Sequence, residues 1–297
     1  VGAFLSRDHT ASSLRQLIQR PEPLLAPGAY DALSARLIEA AGFPVVYMTG
    51  FGTAAGRLGR PDVGLLGMSE MVDNARRIVE AVEVPVIADA DTGYGNPINV
   101  VRTVHEYERA GVAAIHIEDQ VAPKKCGHME GKQIIPAEEM VQKIRAAAAA
   151  RRSPDFLLIA RTDARALEGL DAALERGRRY REAGADILFI EAPQTADEIR
   201  AVARAFPDVP LLFNWAEGGK TPPIGYDELR SLGYRIVIFP ISALLAATRA
   251  IQGVLARIRA DGTPAQVLPE LPRFGEFLDI IGLPEIQSLE ERFATRS

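Results

Sequence analysis

Asp89 and Asp91, one residue apart in the run ADADTGYGN, are the first residues of this chain with an evident chemical use. If the strand carrying Asp89 continues, side chains two positions apart point the same way, and both carboxylates come within reach of one cation. Adjacent negative charges repel unless a cation or a proton lies between them. Glu118 ends another apolar run and offers a third oxygen donor. The set suits a hard divalent ion, Mg2+ or alternatively Mn2+, which prefers oxygen ligands and keeps several waters. Zinc is not expected, because no closely spaced His and Cys pattern occurs. Read structurally, the same acids would cap helices or pair with Arg161; three of them on successive strands favour the metal.

The second feature is the segment QVAPKKCGHMEGKQI within residues 119–135, long for a connection that usually takes about 2–6 residues. It holds three of the five lysines of the chain (Lys124, Lys125 and Lys132), the single cysteine Cys126, and His128. A lone cysteine is more often buried filler. One set among cations in a polar loop is placed for thiolate chemistry. The expectation is a mobile basic flap that closes over a metal-bound anion, excludes water and brings an acid to the reacting carbon.

These groups need a scaffold that converges them. Four segments share one grammar, a charged helix end, a glycine and a β-branched run: EAAGFPVVYM (39–48), ERAGVAAIHI (108–117), REAGADILFI (181–190) and RSLGYRIVIF (230–239). Gly42, Gly111, Gly184 and Gly233 fit the left-handed position that ends a helix. Apolar runs at 24–26, 85–88, 156–160 and 210–213 complete eight strands, apolar throughout as parallel strands covered on both faces are. Ser69, Asn96-Pro97 and Pro136 read as helix starts. Strand and helix alternating eight times predicts an α/β fold, a (β/α)8 barrel over about residues 20–261 within one domain, 1–297. A doubly wound sheet is the runner-up; APGAYDAL lacks the glycine-rich phosphate turn it would need.

Barrel enzymes work at the carboxyl ends of their strands. Those ends read Tyr47-Met48-Thr49-Gly50, Asp89-Ala90-Asp91, Glu118-Asp119, Arg161-Thr162-Asp163, Glu191, Asn214, and Pro240 with Ser242. Beyond the eighth strand, helical stretches at about 264–281 and 284–296 carry Leu268, Leu271, Phe274, Phe277, Leu278 and Ile281, more than an isolated surface helix needs. They pack either on another subunit or within the chain.

Composition narrows the partners. Net charge is −5 without a basic block, which argues against nucleic acid and acidic membrane and leaves small-molecule chemistry. An apolar fraction of 47% and a charged fraction of 25% describe a chain that buries a large core. The uncharged stretch 40–56 contains four glycines and a proline, unlike a membrane span. No secretory signal is visible, and one cysteine forms no internal disulfide, so a cytoplasmic location is expected.

With KKCGH after IEDQ, and with PGAYDALSARL, TGFGTAAGRLGRPD, DADTGYGN, ARTDA, EGGKTP and FPISA in order along nearly the whole chain, the sequence resembles the isocitrate lyase and phosphoenolpyruvate mutase superfamily. It is most similar to the short branch of 2-methylisocitrate and 2,3-dimethylmalate lyases. The resemblance implies a homotetramer of α/β barrels exchanging a terminal helix. It implies a Mg2+ site of Asp89, Asp91 and Glu118, largely through water, with Asp62 nearby. It places a substrate carboxylate on the backbone N–H groups of Thr49, Gly50 and Phe51, with Arg161, Asn214, Glu191 and the CGH glycine Gly127 as further pocket residues. Ser242, in FPISA, joins the pocket. Cys126 matches the acid that protonates the leaving carbanion, flanked by Lys124 and His128; Tyr47 is the candidate base or its hydrogen-bonded positioner.

The implied reaction is cleavage of a 2-hydroxy acid to a 2-oxo acid, pyruvate or glyoxylate, and a second carboxylate. Leu245 and Phe274 stand where methylisocitrate lyases carry basic residues for extra carboxylates. An alkyl-substituted malate is therefore expected over a tricarboxylate, because a buried carboxylate without a partner is costly. The alternatives are 2-methylisocitrate lyase, a carboxyphosphonoenolpyruvate mutase, and a non-catalytic binding barrel.

Overall fold

The computed structural model describes residues 11–127 and 129–294. Its eight strands are β1 (Leu24–Ala29), β2 (Val46–Met48), β3 (Val86–Asp89), β4 (Ala114–Glu118), β5 (Leu157–Thr162), β6 (Ile187–Ile190), β7 (Leu212–Asn214) and β8 (Ile236–Phe239). All neighbours are parallel, in the order β6-β5-β4-β3-β2-β1-β8-β7. The free edges of β6 and β7 meet at the parallel bridge Leu188–Leu211, where the Leu188 N–H donates to the Pro210 carbonyl at 3.1 Å. The result is the expected α/β barrel.

Local chemistry explains the joints. Gly42, Gly111, Gly184 and Gly233 have φ of +86°, +85°, +113° and +84°, and each follows a helix feeding a strand. Asn96 caps the helix Pro97–Arg109 by accepting the N–H groups of Ile98 and Asn99, as predicted. The start predicted at Ser69 is displaced: the helix Met68–Ala81 begins after Gly67, whose N–H is taken by the Glu70 carboxylate at 2.9 Å. β1 runs past the predicted 24–26 because Pro27 and Gly28, turn residues by composition, still find partners on β8 and β2. Gly28 is required there, since a Cβ would run into the Pro240 carbonyl.

The predicted helical stretch 264–281 is broken. A 3-10 turn, Leu268–Glu270, gives way to extended Leu271 (φ −94°, ψ 149°) and then to the helix Phe274–Ile280. Pro272 is the cause, because its ring excludes helical geometry from the residue before it. This helix, the helix Ser242–Asp261 and the helix Leu283–Phe293 contain no buried residue. Among the described residues no helix is long and apolar enough to cross a membrane.

Alternation along the strands divides the core. Ile87, Ala114, Leu157, Ile159, Ile187, Phe189, Leu212, Ile236 and Ile238 fill the barrel interior. Ala88, Ile115, Ile117, Leu158, Ala160, Leu188 and Val237 face the helices. With a side-chain period of two, the interior set continues upward to Asp89, Glu118, Arg161, Glu191 and Asn214. One parity rule turns five polar strand ends toward one axis.

Candidate active site

A cavity of about 240 Å³ opens above that interior, lined among others by Tyr47, Thr49, Phe51, Asp62, Asp89, Lys124, Cys126, Gly127, Arg161, Glu191 and Asn214. Residues expected to do chemistry, drawn from strands two, three, five, six and seven and from the long loop, share this space. Asp91 and Glu118 lie behind its lining, buried at 6% and 1% exposure.

The two aspartates converge by a route the strand argument did not foresee. β3 ends at Asp89, and Asp91 turns into the left-handed region at φ +47°. Asp89 Oδ1 accepts the Asp91 N–H at 2.9 Å and Oδ2 the Gly50 N–H at 3.2 Å. A turn, not a continued pleat, aims the second carboxylate. Lys124 Nζ stands 2.5 Å from Asp62 Oδ2 and 2.8 Å from Asp91 Oδ1.

Protonation follows from this crowding. Burial raises the Asp91 pKa to about 6, with Asp89 and Asp62 adding to it against the pull of Lys124. Burial also drives Glu118 well above the usual carboxylate range, despite Arg161. For Asp89 burial is outweighed by His116, Lys124, the Asp91 N–H and Arg161, and the acid stays below its ordinary value. Lys124 is opposed by burial, but Asp91, Asp89, Asp62 and Glu118 hold it charged.

Glu118 Oε1 is buried with no hydrogen-bond partner. An orphaned acceptor in a surplus of acid is the environment a hard cation relieves. Among the described residues no three His, Cys, Asp or Glu side chains draw close enough to chelate an ion directly. Asp89, Asp91 and Glu118 are oxygen donors of the kind a hard cation takes, directly or through its water.

Opposite the acids, Arg161 is fixed on every side. Its Nε and Nη2 donate to Asp163 at 2.9 and 3.1 Å, Nη1 lies 3.2 Å from Glu118, and its guanidinium stacks 5.2 Å from the Phe189 ring centroid. Asn214 Nδ2 donates to Glu191 at 3.3 Å. Asp163 is a residue the sequence reading passed over as anything but a strand end. Its signal was present in the ARTDA run.

Tyr47 also touches a partner the sequence reading missed. Its hydroxyl lies 2.8 Å from Nε2 of His116, a fully buried β4 residue whose Nε2 is 3.5 Å from Asp89. Burial pushes the phenol pKa well up and the imidazole pKa down. Which of the two atoms donates depends on the imidazole tautomer, and Tyr47 stands where a base or its hydrogen-bonded positioner is expected. The period-two pattern AIHIE was the available clue to His116.

Of the backbone N–H groups expected to hold a carboxylate, those of Thr49 and Gly50 are committed within the protein. The Thr49 N–H donates to Ala29 at 3.1 Å, Gly50 to Asp89, and Gly52 to the Thr49 hydroxyl at 3.1 Å. Phe51 stands in the first turn of the helix Gly50–Leu58, where N–H groups have no intrahelical acceptor. Ser242 does not line the cavity; its hydroxyl donates to Glu217, which does.

The loop 119–135 is anchored. The Ile135 N–H donates to the Asp119 carbonyl at 2.9 Å, the Val121 N–H to Gln133 at 2.8 Å, and the Cys126 N–H to Asp62 at 3.2 Å. Two of its three lysines turn inward: Lys124 and Lys132 are 5% and 6% exposed and bound to acids, while Lys125 is half-buried. The physical reason is that this acid-rich rim needs internal countercharge. Cys126 is half-buried at the cavity wall. His128 lies outside the described residues. Leu245 and Phe274, exposed at 46% and 78%, are not among the lining residues.

A model of the family described as phosphoenolpyruvate phosphomutase matches residues 14–259. A 2,3-dimethylmalate lyase of Eubacterium barkeri is 51% identical over 287 residues, covering 97% of this chain and 99% of that protein. A 2-methylisocitrate lyase of Aeropyrum pernix is 47% identical over 298 residues, covering 99% and 96%. Among solved structures, a 2,3-dimethylmalate lyase superposes with a TM-score of 0.91 at 41% identity, covering 95% of this chain and 94% of that one.

Proposed function

Since this chain belongs to the phosphoenolpyruvate phosphomutase family, we propose that it is a carbon–carbon lyase cleaving an alkyl-substituted 2-hydroxy dicarboxylate to a 2-oxo acid and a second carboxylate. The observation that carries this reading is the shared cavity: a thiol, Lys124, Arg161 and Asn214 face the space that Asp89 borders. Mg2+, or Mn2+, held mostly through water by Asp89, Asp91 and Glu118 with Asp62 nearby, would draw electrons from the hydroxyl and the adjacent carboxylate.

Arg161, Asn214 and the Phe51 N–H bind and orient the carboxylate that becomes part of the 2-oxo acid. Thr49 and Gly50 hold that backbone in place, and Glu191 orients Asn214. Tyr47, hydrogen-bonded to His116, meets the hydroxyl end of the substrate as its base or as the group that positions that base. As the C2–C3 bond breaks, the 2-hydroxyl gives its proton to a base, for which Tyr47 is the candidate. Its oxygen electrons close the C=O of the 2-oxo acid, and Cys126 delivers a proton to the departing carbon. Lys124 and Gly127 set the loop that brings the thiol there, with His128 beside it in sequence.

Cavity chemistry supports the substrate class. Among the described lining residues Lys124 and Arg161 are the basic side chains, both already paired with acids, while Met129, Ile238, Pro240 and Ile241 form an apolar wall. An alkyl substituent gains from that wall. A third carboxylate would be buried without a partner. The uncovered apolar faces of the terminal helices support a second subunit seated on them, within a homotetramer.

The test is pyruvate release, coupled to a dehydrogenase, across substituted malates and 2-methylisocitrate. Cleavage of 2,3-dimethylmalate is expected. Turnover of the tricarboxylate alone overturns the dicarboxylate reading, and a phosphonate rearrangement seen by phosphorus NMR, without pyruvate release, overturns the lyase.

A further inference from the structure

We propose that Lys132 is a positioning residue, clamping the Cys126–Gly127 backbone onto Arg161 so that the thiol faces the cavity. This role rests on the lyase reading above for its kinetic consequence, but not for its geometry. The Lys132 side chain is 2% exposed, within the protein although it belongs to a surface loop. Its Nζ donates to the Gly127 carbonyl and, at 2.7 Å, to Asp163 Oδ1. An ammonium carries three donors and can bridge a loop backbone and a strand end together.

Each link on the strand side is rigid. Asp163 accepts Arg161 at 2.9 and 3.1 Å, and its own N–H donates to Asp119 Oδ1 at 2.9 Å. Asp119 is fixed in turn by the Thr162 hydroxyl at 2.6 Å and the Tyr180 hydroxyl at 2.7 Å. On the loop side the contact is close enough to exclude any side chain at Gly127, where a Cβ would collide with the Arg161 guanidinium and the Glu191 carboxylate. Lys132 thus ties the residue next to the thiol to the same carboxylate that orients the substrate-binding arginine. The base of the loop is zipped separately, through Asp119 and Gln133, so loss of Lys132 releases the tip and leaves the barrel closed.

The experiment uses Lys132→Met in the full chain with two measurements. The first is steady-state kinetics: kcat falls about 100-fold while KM stays within about threefold, as expected of a proton donor displaced by about 1 Å. The second needs no substrate. Cys126 is the single cysteine, so iodoacetamide labelling reports it alone, and the variant labels about tenfold faster at a temperature where circular dichroism shows the barrel folded. A labelling rate within about twofold of wild type shows no local opening and overturns the clamp, whatever the substrate. Wild type that turns over no malate overturns the lyase reading instead and leaves the labelling result standing. If Lys132→Met does not fold, Lys132→Gln, which retains a donor but lacks the reach, is held to the same two outcomes.

Discussion

At Asp163, burial and charge pairing act in opposite directions on one proton. Burial pushes the pKa up, but Arg161 and Lys132 pull it down to about 2 from an ordinary 3.8. A carboxylate depressed on folding stabilises the native state above its unfolded pKa and loses that contribution as pH falls toward its folded value. The contribution is about 2 kcal/mol at neutral pH, at about 1.4 kcal/mol per pKa unit. The stability gap between wild type and Asp163→Asn, measured by urea unfolding, should be widest near pH 7 and narrow between about pH 4 and pH 2. A gap independent of pH would remove the ion pair as its cause. Cys126→Ser should lower turnover by about 100-fold or more, since a hydroxyl is a far weaker acid, while calorimetry still finds oxalate bound with Mg2+. Turnover equal to wild type would take the thiol out of the mechanism.

The element scale is governed by how strands are entered and left. Gly42 sits at φ +86° with nothing within 4 Å of a hypothetical Cβ, so its requirement is conformational alone. Gly42→Ala should cost about 1 kcal/mol in chemical denaturation and leave kinetics untouched. A neutral substitution would show that the helix end relaxes. The site-facing turns work differently: Asp91 holds a left-handed φ of +47° without being glycine, and the Lys143 ammonium at 3.2 Å from the Thr92 carbonyl braces that turn. Strand ends deliver the side chains, and these turns aim them.

For the molecule as a whole, the unresolved demand is apolar surface. Ile251 and Leu255 are each 58% exposed, and Phe274 78%, on helices without a buried residue. Soluble monomers seldom leave so many large apolar side chains on terminal helices in water. Sedimentation should find an oligomer at micromolar concentration, and Leu255→Glu should shift it to smaller species with the barrel's far-ultraviolet dichroism retained. A wild-type monomer would assign these helices to packing within one chain.

Much of this was legible in one dimension. The four helix-ending glycines, the eight apolar runs and the parity of Asp89, Glu118, Arg161, Glu191 and Asn214 follow from backbone conformation and a period of two, which are local properties. The loop lysines were legible as residues but not in their role, because their partners, Asp62, Asp91 and Asp163, lie far away in sequence and meet them only in the closed barrel. His116 beneath Tyr47 and the left-handed turn at Asp91 likewise depended on contacts between elements, whereas the break before Pro272 is local to the proline. Sequence determined which side chains reach the rim; the tertiary fold decided which charges neutralise one another there, because Coulomb energies depend on distances that only packing sets.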